Sequence, residues 1–239
     1  MKNEKIDRTI FRPRINNVIN ILESQGIELN KLSALEMFGR DGTAHVMAYA
    51  DKVRALEVWE IDRKWEVKLK NNLPNAEIKI IDSVNEINNG VNLPKFDLIM
   101  IDNTIPMFGP ENEQEKYCEH FDFIKNIGRI MEENTIIVFN VNKQPFNYDN
   151  QLKWKKRREE FYGAVDTSNL SIEFLLNFYK ELFLSLNLAT IFCDIVLRHS
   201  PHLDYLIFNL RKIREKTEAD LKNIDWISLY PYVKRKNLL

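Results

Sequence analysis

Two glutamates stand where successive apolar runs of strand length end. Glu36 closes the first run and leads into a loop that ends at Gly42, and Glu60 closes the run Ala55–Trp59, about twenty residues further on. We interpret this stretch as a strand, a tight loop whose last glycine opens a helix, and a second strand with a carboxylate at its tip. Backbone N–H groups at a helix start bind anionic groups, and a strand-end acid accepts hydrogen bonds from ribose hydroxyls. The spacing therefore predicts a nucleoside-binding site.

Two later apolar runs end in the same way. Asp82 and Ser83 follow the run Glu77–Ile81, and Asp102 follows the run Phe96–Ile101. The carboxyl ends of parallel strands lie at one edge of a sheet, and open α/β sheets bind their ligands at that edge. We therefore expect the four strand-end acids to face a single ligand.

The elements that position these acids alternate between strand-length apolar runs and segments of helical spacing. This alternation predicts an α/β protein with a mainly parallel sheet. The predicted parallel strands are Ala34–Met37, Ala55–Trp59, Glu77–Ile81, Phe96–Ile101 and Thr135–Asn140. Helical spacing precedes the first strand, recurs at Phe121, Ile124, Ile127 and Ile130, and extends over Leu170–Leu186.

Two further strands, Ala189–Leu197 and Tyr205–Leu210, follow the last predicted helix. The segment between them is too short for the crossover helix that a parallel pair requires. The two strands must therefore run antiparallel if they are neighbours, which closes the sheet with a hairpin.

Composition and charge restrict the class of protein. A chain of 239 residues can bury one full core with a small appendage, and a formal net charge of −1 gives no overall attraction to nucleic acid or an anionic membrane. Cys118 and Cys193 form no metal-ligand or redox pattern, and His199 and His202 lack partner ligands, so we expect no metal site. No apolar run approaches the roughly eighteen residues of a membrane span. We expect a soluble, cytoplasmic protein without membrane contact.

Changes in the sequence pattern define three expected regions. Residues 1–31 form an N-terminal helical cap, residues 32–212 form the α/β domain, and residues 213–239 form a charged and then aromatic tail. Within the domain, residues 142–163 have no clear period and are rich in polar and aromatic side chains. This composition favours an insert on the substrate side.

At its first loop the chain resembles the class I S-adenosylmethionine-dependent methyltransferases. The first motif of that family is an acidic residue, one apolar residue and three glycines at alternate positions. Glu36 matches the acid and Gly42 matches the third glycine, whereas Phe38 and Arg40 replace the first two glycines and Gly39 takes an intervening position. The four strand ends follow in the order and spacing of the family.

The resemblance covers roughly residues 32–211 and implies a Rossmann-like, doubly wound, seven-stranded sheet that is mostly parallel with an antiparallel C-terminal hairpin. It implies S-adenosyl-L-methionine as the cofactor. By the same resemblance an acid after the second strand binds both ribose hydroxyls, and we favour Glu60 over Asp62 for this role. Ile61 then lies against adenine, and Asp82 accepts a hydrogen bond from the adenine amine with Ser83 beside it. Each hydrogen bond to a sheltered carboxylate contributes about 1.5–3 kcal/mol, so Glu60 is expected to be one of the largest single determinants of affinity.

Asp102 is expected at the methyl-donor face of the pocket. There it serves either as a catalytic base or as a contact for the methionine amine of the cofactor. The complete cofactor-binding set implied by the resemblance is Glu36, Phe38, Gly39, Gly42, Glu60, Ile61, Asp82, Ser83 and Asp102.

The methyl acceptor is not specified by these motifs. The polar and aromatic segments outside the core favour a small organic molecule over a long polyanion. The loop Ile105–Pro110 either lines the acceptor pocket or is ordered only by its prolines. The basic segment Lys153–Arg158 either binds nucleic-acid phosphates or forms a solvated helix face, and we favour the solvated face. His45 either contacts the cofactor or packs within a helix.

Two other functions stay open. A non-catalytic binding or scaffold protein of the same fold explains why Phe38 and Arg40 stand where the family has glycines. An aminopropyltransferase of the spermidine synthase type also has an acid after its second strand. It requires paired acids after the fourth strand, however, and here Asp102 is followed by Asn103.

Overall fold

The computed structural model describes residues 12–103, 105–145, 148–163, 166–199 and 202–213. The strands are β1 Ser33–Glu36, β2 Ala55–Glu60, β3 Glu77–Ile80, β4 Phe96–Ile101, β5 Met107–Phe108, β6 Tyr117–Cys118, β7 Met131–Asn142, β8 Leu188–His199 and β9 Leu203–Lys212. The α-helices are α1 Arg12–Ser24, α2 Glu66–Asn72, α3 Ser83–Asn89, α4 Leu152–Tyr162 and α5 Ile172–Ser185.

One seven-stranded sheet organises the molecule, in the order β3-β2-β1-β4-β7-β9-β8. The first five strands of that order are parallel neighbours, and β9 runs antiparallel to both β7 and β8. The predicted mostly parallel sheet with an antiparallel C-terminal hairpin is confirmed. The strand order reverses between β1 and β4, which is the point where sheets of this type bind ligands.

Helices cover both faces of the sheet. One core cluster joins α1 and α2 to the sheet and includes Val18 and Leu69, while the other joins α3, α4 and α5 to it and includes Tyr179. Successive strand residues point to opposite faces, so Ala34 lies on the α1 side and Leu35 on the α5 side. The carboxyl edge of the sheet is left to the loops that carry the acids.

The prediction of a helix that begins at Gly42 is wrong. The chain forms only a single 3-10 turn there, His45–Ala48. The segment between Gly42 and β2 is short, and Val46 and Tyr49 pack into the same core cluster as the apolar residues of α1. Helix α1 therefore covers much of the face that a longer helix after β1 would need.

The helical spacing of Phe121, Ile124, Ile127 and Ile130 corresponds to another 3-10 helix, Ile124–Arg129. A repeat of three residues matches the three residues per turn of this geometry rather than the α-helix. The prediction of a helical segment between the fourth and fifth parallel strands holds, but its type differs.

The segment 142–163 contains helix α4, although its sequence shows no apolar period. Three buried side chains, Trp154, Arg158 and Tyr162, recur at a spacing of one helical turn. The middle residue of the three is an arginine, so the buried face of the helix does not appear as an apolar repeat in the sequence. Helix α4 ends at Gly163, whose positive φ of 64° gives a left-handed C-terminal stop.

No helix among the described residues is long and apolar enough to cross a membrane. The predicted tail, apart from Ile213, and the first eleven residues of the predicted cap lie outside the described ranges.

Candidate functional site

Glu60 ends β2 with its carboxylate held by the main chain. One oxygen accepts a hydrogen bond from the backbone N–H of Arg40 at 2.6 Å, and the other accepts from the backbone N–H of Asp62 at 2.8 Å. The residue is 8% exposed. Burial raises the pKa of Glu60, and the two backbone hydrogen bonds act in the opposite direction. Each carboxylate oxygen can accept a second hydrogen bond, so Glu60 retains capacity for two hydroxyl donors.

The loop beside Glu60 depends on two glycines. A Cβ atom at Gly39 would lie 2.2 Å from Cγ1 of Val58, so only glycine allows the loop to approach β2 this closely. Gly42 has a positive φ of 72°, which side chains other than glycine rarely adopt. Arg40 also has a positive φ of 49°, in the position where the resembling family has a glycine. The loop therefore follows a compact path, although it contains fewer glycines than the motif of the family that the chain resembles.

Asp82 caps the N-terminus of α3, and its carboxylate also accepts a hydrogen bond from Tyr117. One carboxylate oxygen accepts from the backbone N–H of Asn85 at 3.0 Å, and the other accepts from the hydroxyl of Tyr117 at 2.7 Å. Tyr117 belongs to the ribbon formed by β5 and β6. In the same ribbon Phe108 packs edge-on against Phe38, with ring centroids 5.3 Å apart. The loop Ile105–Pro110 thus contributes to a ribbon that covers the carboxyl edge above β1 and β3.

Glu36 and Asp102 are bridged by His45. The Nε2 atom of His45 lies 2.7 Å from a carboxylate oxygen of Glu36, and its Nδ1 atom lies 3.0 Å from a carboxylate oxygen of Asp102. Tyr49 donates a hydrogen bond of 2.6 Å to the same oxygen of Glu36. His45 therefore spans the gap between the end of β1 and the end of β4.

A second cation reaches Asp102 from the hairpin. The Nε atom of Arg198 lies 2.8 Å from one carboxylate oxygen, and its Nη2 atom donates to the other at 3.1 Å. The hydroxyl of Tyr205 donates to that second oxygen at 2.7 Å. All of these side chains are buried. We call the six residues Glu36, His45, Tyr49, Asp102, Arg198 and Tyr205 the ionic network.

The cations and carboxylates of the ionic network stabilise one another's charged forms. Burial alone lowers the pKa of His45, but the carboxylates of Glu36 and Asp102 outweigh it and raise the pKa to about 10. Burial alone raises the pKa of Asp102, but His45 and Arg198 outweigh it and hold the pKa well below its usual range. At neutral pH the histidine is an imidazolium and Asp102 is a carboxylate.

The site consequently has two halves. In the first half, Glu60 and the Gly39–Gly42 loop, with the half-buried Ile61 beside them, offer acceptor capacity next to an apolar side chain. In the second half, the ionic network fills the crevice between β1 and β4 with groups that already pair with one another. The buried Ser83 begins α3 close to the first half.

The basic segment 153–158 is only partly a solvated face. Trp154 and Arg158 are buried and both donate to Glu119, at 2.8 and 2.7 Å. Lys156 lies 3.9 Å from Glu160 on the exposed side, as a solvated helix face requires. Trp154 is therefore not accessible for stacking on a base.

Sequence reasoning missed four members of the site, namely Tyr49, Tyr117, Arg198 and Tyr205. One signal was present: Arg198 directly follows an apolar run that was predicted as a buried strand, and a charge in that position requires a partner. The sequence did not predict that His45 bridges two carboxylates, and contact of His45 with the cofactor stays a prediction.

No protein-family model matches the sequence, and no curated protein matches it either. Solved structures share its fold. The N-methyltransferase NodS from Bradyrhizobium japonicum WM9, in complex with S-adenosyl-L-homocysteine, is 13% identical with a TM-score of 0.53 over 85% of this chain and 89% of NodS. The magnesium protoporphyrin IX methyltransferase ChlM from Synechocystis PCC 6803, with bound S-adenosylhomocysteine, is 11% identical with a TM-score of 0.51 over 85% of this chain and 84% of ChlM.

A third structure of the same fold holds its small-molecule substrate. It is the 1,6-didemethyltoxoflavin-N1-methyltransferase from Burkholderia thailandensis, with bound 1,6-didemethyltoxoflavin and S-adenosylhomocysteine. It is 12% identical with a TM-score of 0.50, over 86% of this chain and 79% of that protein. The chain therefore has the fold of S-adenosylmethionine-dependent methyltransferases.

Proposed function

We propose that the chain binds S-adenosylmethionine and transfers its methyl group to a small organic acceptor. The observation that carries this proposal is Glu60, a buried carboxylate at the tip of β2 whose two donors are both backbone N–H groups. Its spare acceptor capacity suits the two hydroxyls of a ribose, and it lies at the sheet edge where this fold binds ligands.

The residues of the first half fit the adenosine part of this cofactor. Glu60 would hold the ribose, Ile61 would lie against the adenine ring, and Asp82 would accept from the exocyclic amine beside Ser83. Phe38 and Phe108 would close the apolar side, while Gly39 and Gly42 keep the loop compact beside Glu60. The acids of the second half are already paired, so the fit there is poorer.

When bound, the cofactor supplies a methyl group already activated on a sulfonium sulfur. The chain then has to hold the acceptor in line and exclude water, which can lower the barrier by up to ~7–11 kcal/mol. Asp102 is a poor proton acceptor because His45 and Arg198 stabilise its charged form. We therefore give Asp102 a positioning role, and expect an acceptor that needs little help from a base.

A small acceptor agrees with two features of the chain. The aromatic residue of the basic segment, Trp154, is buried against Glu119, which leaves that segment poorly equipped to bind nucleic acid. The Burkholderia protein of the same fold methylates a small heterocycle according to its description. The cytoplasm is the compartment we propose, since the cysteines suggest no disulfide.

A nucleoside-binding protein without turnover is the second candidate. The observation that favours it is the bridge of His45 between Glu36 and Asp102, which occupies acids that the resembling family places near the methyl donor. This protein would bind S-adenosylhomocysteine and transfer nothing.

Thermal unfolding with added ligands tests the proposal. S-adenosylmethionine or S-adenosylhomocysteine at one hundred times the dissociation constant should stabilise the fold by ~2.7 kcal/mol, which is a rise in melting temperature of about 5–11 °C at this size. Transfer of a labelled methyl group to a co-purified small molecule should follow. A response to decarboxylated S-adenosylmethionine alone would favour the aminopropyltransferase, and no response to any of these ligands would refute the proposal.

A further inference from the structure

We infer that this chain recognises its ligand as a nucleoside thioether, and that an attached α-amino acid adds little to the affinity. The reason is that His45 occupies the position between Glu36 and Asp102 where a ligand ammonium would otherwise be held. The inference rests on the nucleoside site proposed above and specifies which part of the ligand that site binds.

The geometry places His45 at the centre of the ligand crevice. Glu36 is the last residue of β1, Asp102 follows the last residue of β4, and the strand order reverses between these two strands. The imidazole ring touches both carboxylates, at 2.7 and 3.0 Å. An ammonium group could reach a position between the two acids only by displacing the ring.

The charges leave little attraction for such an ammonium group. Two carboxylates, Glu36 and Asp102, are matched by two cations, His45 and Arg198, so the ionic network is neutral as a whole. The hydroxyls of Tyr49 and Tyr205 add further donors to the same carboxylates. Displacing one cation by another would exchange an existing ion pair for a new one.

The backbone around His45 keeps the ring in this position. The 3-10 turn His45–Ala48 packs Val46 and Tyr49 into the core cluster of α1. Tyr49 also donates to the carboxylate that His45 contacts. The packing of the turn therefore fixes the backbone of His45 beside the two carboxylates.

Among the residues that the structure describes, no cation forms an ion pair with Glu60. Both hydrogen bonds that reach the oxygens of Glu60 come from uncharged backbone N–H groups, those of Arg40 and Asp62. A ribose adds two further donors to this carboxylate without displacing the existing ones. Ligand recognition is therefore concentrated on the nucleoside.

Calorimetric titration of the wild-type chain distinguishes the two parts of the ligand. S-adenosylhomocysteine and 5′-methylthioadenosine share the adenosine and the thioether sulfur, but only the first carries the amino acid. We expect the two dissociation constants to agree within about threefold. Binding of S-adenosylhomocysteine that is tighter by about thirtyfold or more would overturn the inference and leave the proposed function intact. If neither compound binds, both the inference and the proposed function fail.

Two variants at His45 provide the matched comparison. His45→Ala opens the space between the carboxylates, so S-adenosylhomocysteine should gain about tenfold relative to 5′-methylthioadenosine. His45→Lys keeps a cation there, so the wild-type ratio should persist. An unchanged ratio in the folded alanine variant would contradict the inference. The wild-type titration decides the matter even where the alanine variant does not fold.

Discussion

Glu36 and Glu60 are both glutamates at the C-terminal ends of adjacent parallel strands, yet their surroundings differ. Glu36 is fully buried and touches a cation, whereas Glu60 is bound by two backbone N–H groups. The carboxylate of Glu36 is already paired within the ionic network that spans the crevice. The carboxylate of Glu60 keeps spare acceptor capacity at the ligand edge. The position of an acid at a strand end therefore predicts where it lies, but its neighbours decide whether it is available to a ligand.

Because the surroundings of the two glutamates differ, substitutions near them should affect different properties, stability in one case and ligand binding in the other. Breaking a buried ion pair by removing one partner leaves an uncompensated charge and costs several kcal/mol. Neutralising a carboxylate that is bound only by backbone amides affects chiefly the ligand that it receives. Variants in the ionic network should therefore change unfolding, and variants at Glu60 should change affinity.

The largest effect is expected at Arg198. The Arg198→Met variant leaves the buried Asp102 with one cation fewer and should lose about 3–5 kcal/mol of unfolding free energy in urea. Arg157→Met is the matched control, because Arg157 pairs with Asp122 where both side chains are partly exposed. The control should lose no more than about 1 kcal/mol. Equal losses in the two variants would contradict the structural role of the ionic network.

The pH dependence of stability should reveal the charge on His45. The pKa of His45 is raised from 6.5 to about 10 on folding, so its contribution is complete below pH 6.5 and is lost as the pH rises toward 10. Between about pH 7 and 8 the unfolding free energy should fall by about 1–1.4 kcal/mol per pH unit. This range lies below the ordinary pKa values of cysteine, tyrosine and lysine. The fall should be absent in His45→Gln. A flat profile in the wild type would show that His45 is neutral.

Gly39 provides a test of the nucleoside half. Gly39→Ala places a methyl group against Val58, so the loop must shift, at a cost of about 1–3 kcal/mol. Gly128→Ala, where nothing lies within 4 Å of the added carbon, serves as the control. Nucleoside affinity should fall only in the first variant, because Arg40 moves with the loop that helps to position Glu60. Undiminished affinity in Gly39→Ala would separate the loop from the ligand site.

Local signals in the sequence were sufficient for much of the fold. The strand ends at Glu36, Glu60 and Asp102 were predicted because apolar runs and the residues that stop them are adjacent in sequence. The antiparallel hairpin was predicted because the segment between its strands is too short for a crossover. The helix expected after Gly42 failed because the packing of α1 against the same face is a tertiary contact that the local pattern around Gly42 does not show.

The ionic network could not be predicted in this way. Arg198 and Tyr205 reach Asp102 across 96 and 103 residues of sequence, and their contacts exist only after β9 inserts between β7 and β8. A carboxylate at a strand end looks the same in sequence whether a ligand or the protein neutralises it. Only the assembled sheet distinguishes Glu36 from Glu60.

The most direct test is the affinity of S-adenosylhomocysteine for Glu60→Gln, measured by calorimetry beside the wild type. Asp97→Asn is the control, since Asp97 likewise accepts a backbone N–H, from Ser33 at 2.8 Å, but at the opposite end of the sheet. We predict that Glu60→Gln weakens binding about 10- to 100-fold while Asp97→Asn retains the wild-type affinity. Wild-type affinity in Glu60→Gln would contradict the assignment of a nucleoside to this edge of the sheet.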